Sequence, residues 1–124
     1  MTLVLLAVGG AAGTVARYAL SGWVSDLTGG RLPWGTFIVN ISGAFVLGVI
    51  FALSVDRAVL PAEVRVPLMI GFLGAYTTFS TLMLESWRLL EEGAMLAAVA
   101  NIVGSSLVGL VAVVGGLAVG RLLA

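Results

Sequence analysis

At 124 residues, 60% hydrophobic and only 10% charged, with a mean hydropathy of +1.18, the chain has too little polar surface to wrap a soluble domain, and lipid is its natural solvent. Six arginines balance six acids and lysine is absent, so there is neither a basic patch for nucleic acid nor an acidic tail. Without cysteine there are no disulfides or thiol nucleophiles, and without histidine no imidazole metal site or His-based acid–base chemistry.

A helix needs about 20 apolar residues to cross roughly 30 Å of hydrocarbon. The first such run, 3–24, has no basic residues before it and continues far past a signal-peptide core, so it reads as a retained span. It carries Gly9 and Gly13 four apart, the small-residue spacing that lets helix backbones approach closely in lipid, and Arg17 towards its far end. SDLTGGRLP then leads to the second span, 35–54, where Thr36, Asn40 and Gly43 share one helical face. An amide in hydrocarbon is costly without a partner, so Asn40 either makes an interhelical hydrogen bond or lines a polar path.

DRAVLPAE precedes the third span, 64–84, with Pro67 expected in its first turn, where proline is tolerated. Its GFLGAYTTFSTL stretch places Gly71, Gly74, Thr78, Thr81, Glu85 and Arg88 on one helical face, a hydroxyl track leading towards a charged mouth. Glycine and poor helix formers around 74–77 predict a break there, and irregular backbone at membrane depth needs protein, water or an ion to satisfy it. ESWRLLEEG leads to the fourth span, 94–117, which aligns Asn101 with Ser105, has Ser106 alongside, and repeats the glycine spacing at Gly116 and Gly120.

The three connections hold nine of the twelve charges and are short, so successive helices should be antiparallel neighbours in a single domain. Trp23, Trp34 and Trp87 fall at span ends, as amphipathic rings do at membrane interfaces. Arg57, Arg65 and Arg121 lie on the side of the termini, and Arg31 and Arg88, with Arg17, on the other, so the positive-inside rule gives almost no orientation. An antiparallel dimer of oppositely inserted copies would produce that tie. The spans show no central acid or base, which a proton-coupled multidrug exporter would need, and passive permeation along a neutral, donor-rich path fits better. A purely structural membrane subunit is the third reading.

Three stretches, Gly10-Ala-Ala-Gly-Thr-Val-Ala-Arg-Tyr18, Gly35-Thr-Phe-Ile-Val-Asn-Ile-Ser-Gly43 and Gly71-Phe-Leu-Gly-Ala-Tyr-Thr-Thr-Phe-Ser-Thr81, closely resemble the signatures of the Fluc (CrcB) fluoride channels. The resemblance covers essentially the whole chain. It implies an all-α membrane protein of four spans with a break in the third, assembled as a dual-topology antiparallel homodimer, or as a heterodimer with a paralogous subunit. It further implies passive fluoride export across a prokaryotic plasma membrane, relieving fluoride toxicity. By resemblance, Asn40, Phe79, Ser80, Thr81 and Ser105 form the fluoride path and Arg17 stands at the aqueous vestibule. The carbonyls of Gly74 and Thr77 would hold a structural Na⁺ at the dimer centre. Two positions depart from the family pattern: Leu82 stands where many members have a second phenylalanine, and Asn101 where a tyrosine is common.

Overall fold

The structure, a computed structural model, describes residues 1–123 and contains the four expected crossings, each long and apolar enough to span a membrane. The first is α1 (Thr2–Thr28), which stops at Gly29 in the left-handed conformation, φ 83°. The second is α2 (Trp34–Phe51), started by Pro33 and extended by a π-helical turn over Ala52–Asp56. The third comes in pieces. α3 (Ala62–Val66) runs into a π-helical stretch, Pro67–Phe72, and then α4 (Leu73–Tyr76); after two extended residues, α5 (Phe79–Glu91) completes the crossing. α6 (Met95–Leu123) is the fourth.

The helices outrun the apolar windows read from sequence, because hydropathy marks only residues at hydrocarbon depth while backbone hydrogen bonding carries a helix on into the interface. Two expectations change as a result. Arg17, placed near the far end of its span, sits close to the middle of α1. Pro67, expected in the first turn of the third span, follows the complete α3 segment. Lacking an N–H, a proline inside a helix cannot serve the i−4 carbonyl. The chain widens there to i→i+5 bonding, and Leu73 N–H donates to the Leu68 carbonyl in that register.

In lipid there is little hydrophobic force between helices, so close backbone packing must hold them. The glycines spaced four apart do so. A Cβ on Gly9 would stand 2.8 Å from the Pro67 carbonyl oxygen, and one on Gly13 would run into the Phe72 carbonyl, so α1 lies directly against the π-helical stretch. Gly116 and Gly120 bring α6 onto α2, where a Cβ on Gly116 would meet the Phe45 carbonyl. The buried core is small: Val39, Leu73 and Tyr76, surrounded by Ala16, Leu20, Leu47, Ile50 and Phe72, where α1, α2 and α4 converge.

The two ends of the bundle differ. One holds the α1–α2 and α5–α6 connections and all three tryptophans, Trp23, Trp34 and Trp87, each exposed. The other holds the α2–α3 connection and both terminal helix ends. There Arg121 Nε lies 2.9 Å from Asp56 Oδ2, and Arg57 donates to the Arg121 carbonyl at 2.6 Å, all in exposed positions.

Candidate functional site

The helix interruption falls at Thr77 (φ −85°, ψ 155°) and Thr78 (φ −150°, ψ 116°), both extended. Their β-branched side chains lose rotamer freedom in a helix, and Gly74 weakens the turn before them. The resulting loose ends are nearly all collected. Leu73 O accepts both Thr77 N–H at 3.0 Å and Thr77 Oγ1 at 2.9 Å. Thr78 caps α5, its Oγ1 accepting from Thr81 N–H at 3.3 Å and donating to Thr81 Oγ1 at 3.0 Å.

Asn40 supplies the main tie from outside the crossing. Its Nδ2 donates to the Thr78 carbonyl at 3.0 Å and its Oδ1 accepts from Thr78 N–H at 2.7 Å. One side chain thereby satisfies both backbone groups of a residue that neither helix can serve. Arg17 Nε donates to the Ala75 carbonyl at 3.1 Å, setting a guanidinium level with the break. The carbonyls of Gly74 and Thr77 have no hydrogen-bond partner among the described residues.

A cavity of about 330 Å³ opens beside the interruption and brings together Asn40, Gly74, Thr77 and Phe79 from the expected site, along with Gly43, Thr78 and Leu82. Phe79 is 73% exposed on this chain. Ser80 and Thr81 follow it on the first turn of α5, Ser80 exposed and its hydroxyl 3.5 Å from that of Thr78. Ser105 on α6 is buried, and its hydroxyl has no partner among the described residues.

The single face expected through Gly71, Gly74, Thr78, Thr81, Glu85 and Arg88 does not exist as one continuous stripe. The extended pair at 77–78 resets the helical phase, so α4 and α5 present independent faces. Glu85 belongs to α5, and its Oε1 is buried without a partner among the described residues. Asn101 donates to Ser86 Oγ at 2.9 Å, and Ser86, fully buried, donates to the Leu82 carbonyl at 2.8 Å. The polar stripes of the second and fourth spans thus share a target: each asparagine ties its helix to the third crossing, one at the break and one along α5.

Sequence reasoning missed Ser42, Tyr76 and Ser86. Tyr76 O–H lies 2.9 Å from Ser42 Oγ, with its ring stacked on Phe72 at 5.8 Å. Ser42 lies two residues from Asn40, off its helical face, so no spacing rule selects it.

The model of the CrcB-like protein family, Camphor Resistance (CrcB), matches residues 4–117. A protein of Solidesulfovibrio magneticus named fluoride-specific ion channel FluC is 48% identical over 118 residues, covering 95% of this chain and 94% of its own. A like-named protein of Hahella chejuensis is 45% identical over 98% of this chain and 95% of its own. One from Geotalea uraniireducens is 50% identical over 84% of each. With four crossings, an interrupted third and a match running through nearly all of its length, the chain belongs to the CrcB family.

Proposed function

We propose that this protein is a passive, fluoride-selective channel of the prokaryotic plasma membrane, a conduit without covalent chemistry. The observation that carries the reading is the interruption at Thr77–Thr78, set beside a cavity that gathers Asn40, Gly74, Thr77 and Phe79. Relatives named as fluoride-specific channels supply the ion. Selectivity for a small, strongly hydrated anion calls for donors that replace its water yet release it. Asn40 offers one: with its Oδ1 and one N–H engaged by Thr78, the second Nδ2 hydrogen remains for an anion. Phe79 can present its positive ring edge. The hydroxyls of Ser80, Thr81 and Ser105 continue the donor set, and the positive charge of Arg17 raises the local anion concentration.

The path needs a second copy. Phe79 and Gly74 line the cavity yet are exposed on a single chain, so the surrounding wall is incomplete. An inverted copy would close it and would give the arginine tie its cause. The free carbonyls of Gly74 and Thr77 fit a hard cation such as Na⁺. Two ligands are too few, and a two-fold axis doubles them. Bound there, the ion would neutralise carbonyl dipoles that have no hydrogen-bond partner among the described residues.

The test is fluoride efflux from liposomes holding this chain expressed alone, followed with a fluoride electrode beside a chloride control. Rapid fluoride release with chloride retained is expected. Release no faster than from protein-free vesicles, with a folded dimer verified, would end the proposal.

A further inference from the structure

We infer that the Tyr76–Ser42 hydrogen bond is a latch by which α2 sets the geometry of the helix break, making Tyr76 and Ser42 positioning residues for the path. The inference rests on the channel reading for its consequence, though not for its geometry. Ser42 Oγ donates to the Val39 carbonyl at 3.1 Å, which uses its only hydrogen. The 2.9 Å contact to Tyr76 therefore has one polarity: the phenol donates and Ser42 accepts. Tyr76 is 9% exposed, and this contact gives its hydroxyl a destination inside the bundle.

The surroundings show what the latch holds. Residues 40–43 of α2 engage three consecutive residues of the interruption. Asn40 grips the backbone of Thr78, on the α5 side. Gly43 lies under Thr77, where any Cβ would collide with the Thr77 Cγ2 methyl. Ser42 holds Tyr76, on the α4 side. Thr77, whose carbonyl has no hydrogen-bond partner among the described residues, is thus held from both flanks. Releasing Tyr76 removes the tie between α2 and the end of α4, leaving the Arg17 bond to the Ala75 carbonyl as the remaining side-chain hold there, while Asn40 still restrains Thr78. The oxygens of Gly74 and Thr77 then lose their fixed spacing, and Phe79, two residues on, loses a reference against α4.

Removing either partner has a different consequence. Tyr76→Phe orphans nothing, because Ser42 keeps its bond to Val39. Ser42→Ala strands a buried phenol hydroxyl, the costlier of the two defects. Ser42→Thr retains an acceptor.

The experiment compares wild type, Tyr76→Phe, Ser42→Ala and Ser42→Thr in three measurements: thermal unfolding in detergent, amide hydrogen exchange at Thr77 and Thr78, and fluoride efflux per folded dimer across a series of sodium concentrations. Tyr76→Phe should unfold near wild type, exchange Thr77 N–H faster and need several-fold more sodium for half-maximal efflux. Ser42→Ala should add a lowered unfolding temperature and lose roughly tenfold in efflux at fixed sodium. Ser42→Thr should behave as wild type. Unchanged exchange at Thr77 in Tyr76→Phe would overturn the latch whatever the vesicles do. So would a flux defect that merely follows the unfolding temperature across the series. Faster exchange together with a wild type that passes no fluoride would keep the latch and remove the channel reading instead. Should Ser42→Ala fail to assemble, Tyr76→Phe alone decides.

Discussion

Asn40 and Phe79 both belong to the proposed path, yet they carry different structural loads. Both polar atoms of the Asn40 amide are committed to Thr78, whereas Phe79 projects from α5 with most of its surface uncovered. Asn40→Ala should therefore abolish fluoride flux and also cost about 2–3 kcal/mol of stability, because the Thr78 N–H and carbonyl are left without partners. Phe79→Ala should abolish flux while changing the stability of the chain's own fold by less than about 0.5 kcal/mol. Chemical unfolding followed by circular dichroism, run beside the efflux assay, separates the two, and equal stability losses would contradict the assignment. An asparagine in an apolar run is conspicuous in a sequence because amides are expensive there. Which atoms it satisfies is not legible, since Thr78 lies 38 residues away and only the folded bundle brings the pair together.

At the scale of elements, glycine spacing was informative and glycine count was not. Gly13, Gly48 and Gly116 sit where a Cβ would run into a neighbouring carbonyl, while Gly22 and Gly104 face open space. Gly116→Ala should force α6 away from α2 and cost about 1–3 kcal/mol, the range found for overpacked sites. Gly22→Ala should be neutral, or should stabilise by up to about 1 kcal/mol through helix propensity. Thermal unfolding of the two variants side by side checks the contrast. The weak stretch at 74–77 announced the break within a residue or two, because propensity is local. The π-helical widening after Pro67 was not foreseen. A proline at that point could equally kink the helix, and the sequence does not show that the widened stretch packs against Gly9 and Gly13. The continuous polar face failed for a related reason: a helical wheel presumes constant phase, and two extended residues at 77–78 destroy it.

For the whole molecule, the number of crossings and their order follow from hydropathy alone, since backbone in lipid has few options besides a helix. The arrangement of copies does not, because the relevant signal is a near-cancellation of arginines. Absence of cysteine makes it measurable. Thr28→Cys at one end and Ala62→Cys at the other, both exposed, should each be labelled to about half by a membrane-impermeant maleimide in intact cells, if copies insert in both directions. Complete labelling of one and none of the other would mean a single orientation. The tryptophans suggest what the proposed arrangement would do for the protein. A lone subunit has its indoles at one pole only, so it would be moored to one leaflet and free to bob against the other. In the antiparallel pair proposed above, head-to-tail packing would moor the assembly to both leaflets with three indoles each and hold its midpoint at a constant depth in the bilayer.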